Sequence, residues 1–152
     1  AAEAAAIALK LGSGAVVPTL VNEGTITSSV TSDGTDTATA ISIGQGASLT
    51  SLVNSGTITA TATGNDANAV VIGTLTSVVN SGFIYGAIGA VDTDDDDDTS
   101  DETITGRVIA MDFSANTTGV SIVQYGASDQ SATDTDGDDI YDDVDEDDDG
   151  DG

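Results

Sequence analysis

The fold is decided by the phrase Leu52-Val53-Asn54-Ser55-Gly56-Thr57-Ile58, which recurs along the chain. Close copies stand at residues 20–26 and 78–84, and a degenerate copy stands at residues 122–128. In the first three copies an Asn-x-Gly separates two aliphatic segments, and Asn and Gly both tolerate the left-handed backbone that a sharp corner needs. Each copy therefore predicts a strand, a corner and a second strand.

A second marker lies upstream of each copy. The four markers are Ala6-Ile7-Ala8-Leu9, Ala40-Ile41-Ser42-Ile43, Ala69-Val70-Val71-Ile72 and Ala110-Met111-Asp112-Phe113. Segments of variable length separate the units, as in a solenoid in which each unit forms one coil and extra residues are extruded at one corner. We expect two or three short strands per unit, which turn at the Asn-x-Gly and again at the inserted loop.

The repeat predicts an all-β parallel β-helix, or β-solenoid, of about four coils over residues 1–128. Each coil buries its aliphatic face only against its neighbours, so equivalent strands pair in parallel. Asn22, Asn54 and Asn80 then fall in register, where stacked amides hydrogen-bond along a column. Residues 1–5 fit either a short helical cap or the tail of a preceding unit.

The composition excludes several functions. The net charge is −25, because 27 acidic residues face only Lys10 and Arg107, and Cys and His are absent. Two cations supply no basic stripe for nucleic acid. Disulfides, Cys/His zinc sites and His-dependent catalysis are excluded as well. The apolar runs are too short for a transmembrane segment, so a binding, structural or metal-organised protein remains.

The repeated phrases resemble the passenger repeats of autotransporter adhesins and related bacterial surface proteins, over about residues 6–128. The resemblance implies a right-handed β-solenoid that is displayed on, or released from, a Gram-negative surface. It therefore also implies an extracellular or bacterial cell-surface location.

The segment 129–152 carries a pattern suited to Ca²⁺. From Asp134, carboxylates occupy positions 1, 3, 5, 9 and 12 of a twelve-residue loop, Gly137 permits a tight turn, and a backbone carbonyl can serve at position 7. The predicted ligands are Asp134, Asp136, Asp138, the carbonyl of Ile140, Asp142 and Asp145. The pattern resembles thrombospondin type 3 and bacterial Asp-rich calcium repeats. The alternative is a disordered acidic tail.

A second calcium phrase begins at Asp147 and supplies Asp147, Asp149 and Asp151 before Gly152. Because only its first half is present, we expect the native polypeptide to continue. A weaker candidate is the acidic insertion loop 92–102, with Asp92, Asp94, Asp96 and Asp98 as ligands, which fits a solvated loop equally well. The insertions at 32–36, 64–66 and 92–102 and the final tail all follow the third strand position, so we expect an acidic ridge along one corner.

We predict a calcium-stabilised extracellular scaffold, a filament or surface-layer subunit, that associates with itself end to end or laterally through Ca²⁺. The alternative is a monomeric adhesin-type passenger domain that binds a host or surface ligand and uses the tail as a spacer. Thr25-Ile26-Thr27 and Thr57-Ile58-Thr59 also fit an ice-binding face, but Thr simply suits strands. Enzymatic activity is not expected, because the acidic loops lack a basic or aromatic sugar platform.

Overall fold

The computed structural model describes residues 5–31, 37–63, 67–71, 74–89 and 106–125, with the backbone alone for 68–71. The regular elements of these residues are eleven strands. They are β1 Ala5–Leu11, β2 Val16–Asn22, β3 Thr25–Val30, β4 Thr37–Ile43, β5 Ser48–Asn54, β6 Thr57–Thr63, β7 Ala67–Val71, β8 Leu75–Asn80, β9 Phe83–Gly89, β10 Val108–Asp112 and β11 Ser121–Gln124.

The strands form three parallel sheets, in which each strand pairs with the strand three places later in the chain. Sheet A has the order β1-β4-β7-β10, sheet B the order β2-β5-β8-β11, and sheet C the order β3-β6-β9. The chain therefore runs through sheets A, B and C in turn, giving repeat unit 1 (β1–β3), unit 2 (β4–β6), unit 3 (β7–β9) and unit 4 (β10 and β11). The predicted all-β class with parallel pairing is confirmed.

The pairing register confirms the alignment of the motif at residues 52–58 with its copies. Leu20 pairs with Leu52, Leu52 with Val78, and Val78 with Ile122. The first upstream marker was aligned wrongly: Leu9 pairs with Ile41, so the counterpart of residues 40–43 is 8–11 and not 6–9. A shift of two residues preserves which side chains face inward, because side chains alternate with period two along a strand. The sequence pattern therefore could not distinguish the two alignments.

The larger of two apolar clusters lies between the three sheets, and a smaller, alanine-rich cluster lies between sheets A and C. Ile41 of sheet A, Leu52 of sheet B and Ile58 of sheet C belong to the same cluster, and each is fully buried. At the equivalent positions of unit 1, Leu9, Leu20 and Ile26 are only partly buried against that cluster. The core is thus a stack of layers, and a layer is fully covered only where a unit lies on each side of it.

Two kinds of corner use glycine for different reasons. Between sheets A and B, Gly14 and Gly46 have φ of 77° and 76°, so this corner, which the sequence analysis missed, needs the left-handed backbone. Between sheets B and C, Gly56 does not lie in that region, which corrects the expected reason for the Asn-x-Gly glycine. A Cβ on Gly56 would collide with the Gly24 carbonyl oxygen and lie 2.8 Å from the Gly24 nitrogen. Close stacking of units therefore requires glycine here.

Across the described ranges, no helix has the length and apolar character needed to cross a membrane. Ala5 is the first residue of β1, and the rest of the proposed cap, residues 1–4, lies outside the described part of the chain.

Candidate functional site

The corner between sheets C and A is where the inserted segments leave the repeat. The strands of sheet C end at Val30, Thr63 and Gly89, and the next strands of sheet A begin at Thr37, Ala67 and Val108. These ends are stacked, because Val30 pairs with Ala62 and Ala62 with Ile88. Segments 31–36, 64–66 and 90–107 therefore connect to the repeat at one corner, which we call the C–A corner.

The sequence of these three segments contains eleven of the 27 acidic residues. The acidic ridge predicted for this corner depends on side chains outside the described residues, so it stays a prediction. The predicted ligands Asp92, Asp94, Asp96 and Asp98 lie in the longest of the three segments, also outside the described residues. The structure shows that the three segments attach to the repeat at the C–A corner.

The calcium loop predicted in the tail also lies outside the described residues. This applies to both phrases, whose predicted ligands are Asp134, Asp136, Asp138, Ile140, Asp142, Asp145, Asp147, Asp149 and Asp151. Within residues 5–31, 37–63, 67–71, 74–89 and 106–125, no group of three or more acidic side chains is placed to hold a metal ion. Calcium binding therefore stays a prediction.

The asparagine column is confirmed by three hydrogen bonds between stacked amides. Nδ2 of Asn22 donates to Oδ1 of Asn54 at 2.7 Å, and Nδ2 of Asn54 donates to Oδ1 of Asn80 at 2.7 Å. Nδ2 of Asn80 then donates to Oε1 of Gln124, also at 2.7 Å. The degenerate fourth copy thus continues the column with Gln124, a function that the sequence analysis did not assign to it.

Backbone carbonyls fix the direction of this column. The Nδ2 group of Asn54 also donates to the carbonyl oxygens of Gly56 at 3.1 Å and Phe83 at 3.2 Å. Because a carbonyl oxygen only accepts, the amino group must face these atoms and the amide cannot be reversed. Asn22 makes the equivalent bonds to Gly24 and Thr57. All donors of the column therefore point toward unit 4.

A local turn follows β10 in unit 4. Oδ1 of Asp112 accepts a hydrogen bond from the backbone N–H of Ser114 at 2.8 Å. The pKa of Asp112 is lowered from its usual 3.8, first by hydrogen bonds from the side chain and backbone of Ser114 and then by the charge of Arg107. Asp112 is therefore an ionised carboxylate that closes the turn at the far end of sheet A.

The outer faces of sheets B and C carry apolar side chains in contact with solvent. On sheet C, Thr25 and Thr27 are exposed but Thr59 is only 9% exposed, and in unit 3 the face ends in the exposed Phe83 and Tyr85. On sheet B, Val21 and Val123 are 56% and 40% exposed at the two ends of one register column. Thr59 and the aromatic pair interrupt the regular Thr array that an ice-binding face would need.

Comparison of the chain with protein-family models, with curated proteins and with solved structures finds no match. We therefore infer function from the geometry and chemistry of these residues.

Proposed function

We propose that this protein is a calcium-stabilised structural scaffold of a bacterial cell surface, in which the repeat forms a right-handed parallel β-helix. The supporting observation is the common register of the three sheets. It stacks equivalent side chains from unit to unit and attaches all three inserted segments at the C–A corner. A repetitive parallel β structure from which acidic segments leave at one corner is suited to assembly rather than to catalysis.

The charge distribution supports calcium as the stabilising ion. The described repeat carries few charges, whereas 22 of the 27 acidic residues lie within 92–152 with Arg107 as the single cation. Carboxylates about 4 Å apart repel one another by about 1 kcal/mol even in water. Ca²⁺ takes six to eight oxygen ligands and removes this repulsion when it binds. Extracellular calcium modules have dissociation constants of about 10⁻⁴–10⁻³ M, so environmental calcium would fill such sites.

The test is calcium titration by calorimetry with two matched double variants. Asp136→Asn/Asp138→Asn removes two predicted ligands, and Asp139→Asn/Asp143→Asn removes two neighbouring carboxylates at positions not assigned to the metal. Both variants change the charge equally. We expect the first pair to weaken binding by at least about tenfold, and the second to retain it. Equal weakening would point to diffuse ion condensation, and an absence of binding in the parent protein would refute the calcium proposal.

A second candidate is the adhesin-type passenger domain, and one observation favours it. Phe83 is 61% exposed and Tyr85 is 48% exposed on the outer face of sheet C. Aromatic side chains are enriched in binding interfaces. An adhesin would bind a surface ligand as a calcium-free monomer. Phe83→Ser/Tyr85→Ser should then abolish adhesion while leaving the circular dichroism spectrum unchanged, whereas a scaffold predicts no adhesion in either protein.

A further inference from the structure

Both ends of the repeat leave a layer of the core half covered. Leu52 in unit 2 is fully buried, whereas its counterpart Leu20 in unit 1 is only partly buried and Ile122 in unit 4 is 48% exposed. Strands β1 and β2 are the edges of sheets A and B at one end, and β10 and β11 are the edges at the other. Edge strands present unpaired backbone donors and acceptors to any strand that can pair with them.

The charges at the two ends of one column are complementary. In sheet A, Lys10 pairs with Ser42, Ser42 with Val71, and Val71 with Asp112. The column on the outer face thus begins with one of the two cations of the chain and ends with a carboxylate. A second molecule added beyond unit 4 in the same register would bring its own Lys10 next to Asp112. Arg107 already acts on this carboxylate, and Lys10 would add a second cation.

The hydrogen-bonding groups at the two ends of the amide column are also complementary. Nδ2 of Asn22 points toward unit 2, so its Oδ1 lies on the opposite side of the planar amide, toward the open end. Oε1 of Gln124 accepts a hydrogen bond from Asn80. Nε2 of Gln124 therefore faces the open end beyond unit 4, and it donates to the Tyr125 carbonyl oxygen at 2.8 Å. One end of the column is therefore an acceptor and the other a donor.

We propose that unit 1 of one molecule docks in register on unit 4 of a second copy of this chain, so that sheets A and B continue across the joint. Lys10 then lies beside Asp112 of the other copy, and Asn22 beside its Gln124. Pairing of two like ends requires a two-fold axis and brings the edge strands together antiparallel. It therefore loses the in-register contacts of Lys10 with Asp112 and of Asn22 with Gln124. The inference rests on the proposed scaffold function and specifies its assembly contact.

Calcium has a defined role at this joint. The segment that follows β11, residues 126–152, contains 13 acidic residues and no Lys or Arg. It leaves the repeat from unit 4, so its negative charge is attached at the docking end. Neutralisation of this segment by Ca²⁺ lowers the repulsion that a second acidic molecule meets there. Head-to-tail docking is therefore expected to depend on calcium.

Disulfide trapping tests the geometry, since the chain has no native cysteine. Val21 and Val123 occupy the same column in units 1 and 4, three strand spacings or about 14 Å apart within one molecule. That distance is too long for a disulfide, whereas in-register strands across the joint are about 4.8 Å apart and allow one. With Ca²⁺ and an oxidant, Val21→Cys/Val123→Cys should form a ladder of covalent multimers on a non-reducing gel.

The matched control is Val53→Cys/Val123→Cys, which moves one cysteine to the interior unit 2 of the same column. Head-to-tail docking gives no ladder with this pair, because Val53 never meets Val123 of another copy. Lateral packing of two sheet B faces would cross-link both pairs alike. A ladder from the control, or none from the Val21/Val123 pair in calcium, would overturn the proposed joint.

Charge exchange provides an independent test by sedimentation velocity in calcium. Lys10→Glu and Asp112→Lys should each weaken association at least tenfold, and the double exchange should restore it, with circular dichroism to verify folding. Lys10→Gln and Thr61→Glu make the same change in net charge, but Thr61 is exposed on sheet C of the interior unit 2, so only Lys10→Gln should weaken association.

The outcomes separate the joint from the wider scaffold proposal. Calcium-dependent association that is unchanged by Lys10→Glu and by Asp112→Lys refutes the head-to-tail joint. It remains consistent with the scaffold proposal. Association that follows the exchanges but persists in EDTA supports the joint and refutes the role of calcium. A protein that stays monomeric and binds no calcium refutes both.

Discussion

Asn54 donates a 2.7 Å hydrogen bond to Asn80 from the same amino group that binds the carbonyl oxygens of Gly56 and Phe83. One side chain thus links the corner of its own unit to the amide and the backbone of the next. Asn54 is only 1% exposed, so water cannot replace these partners if the amide is removed.

We therefore expect Asn54→Ala to lower the free energy of unfolding by about 3 kcal/mol, because several buried polar groups lose their partner together. The matched control is Gln124→Ala, at the exposed end of the same column, which should cost about 1 kcal/mol or less. Urea denaturation followed by circular dichroism measures both. Equal losses would mean that the column adds nothing beyond its individual bonds.

The corner glycines should differ in their tolerance of a methyl group. A Cβ on Gly56 would collide with the backbone of unit 1, whereas a Cβ on Gly24 meets no atom within 4 Å. We expect Gly56→Ala to destabilise the fold by about 1–3 kcal/mol through overpacking, and Gly24→Ala to stay within about 0.5 kcal/mol of the parent protein. Thermal unfolding tests the pair. A tolerated Gly56→Ala would contradict the close stacking of the units.

Asp112 should contribute stability that depends on pH. Its pKa is lower in the folded protein than the usual 3.8, so the ionised form favours folding. The contribution is present above pH 3.8 and is lost as the pH falls through the lower folded value. Because the carboxylate is partly exposed, we expect a contribution below about 1 kcal/mol.

The pH effect is measured as the difference in unfolding free energy between the parent protein and Asp112→Asn, followed from pH 6 to pH 2. Subtraction removes the general relief of repulsion that acid brings to so acidic a chain. We expect the parent to be more stable at pH 6 and the difference to disappear in acid. A difference in unfolding free energy that is constant with pH would mean that the substitution acts through the shape of the side chain rather than through the charge of Asp112.

Calcium should raise the unfolding temperature if its sites form only in the folded chain. At a concentration 10 to 100 times the dissociation constant, one site contributes about 1.4–2.7 kcal/mol. For a chain of this size that corresponds to about 3–11 °C. Scanning calorimetry in calcium, magnesium and EDTA measures the shift, and magnesium should be much less effective because it gives up its water reluctantly.

Two variants locate the calcium effect. Asp136→Asn/Asp138→Asn alters the tail loop, and Asp94→Asn/Asp96→Asn alters the insertion at the C–A corner. Loss of the thermal shift in one variant alone assigns it to that segment. Identical melting curves of the parent protein in calcium and in EDTA would show that neither segment is coupled to folding.

Parallel pairing and the amide column can be predicted from the sequence, because Leu52, Asn54 and Gly56 sit at fixed spacing in three units. The alignment of residues 6–9 is wrong by two residues, since period-two alternation cannot reveal a slip of that size. The corner at Gly14 and Gly46 was not predicted, although Gly12-Ser13-Gly14-Ala15 and Gly44-Gln45-Gly46-Ala47 repeat in units 1 and 2. Units 3 and 4 do not keep that phrase, so the signal is confined to half of the repeat.

The residues of the proposed joint were less accessible to prediction from the sequence. The relationship between Lys10 and Asp112 arises only from the pairing of four strands, because 102 positions separate them along the chain. Similarly, Gln124 was recognisable as a degenerate copy of Asn80, but its place in the amide column depends on a longer side chain reaching Asn80 across the sheet. Both are properties of register, which composition and motif spacing do not encode.

The C–A corner has a practical consequence for protein engineering. Segments as short as 64–66 and as long as 90–107 join the same two sheets there without changing the register of the strands on either side. Foreign peptides grafted into successive connections would be displayed in a single file, with attachment points about 4.8 Å apart from one unit to the next. The repeat would then present short peptide epitopes at a spacing fixed by the separation of paired strands.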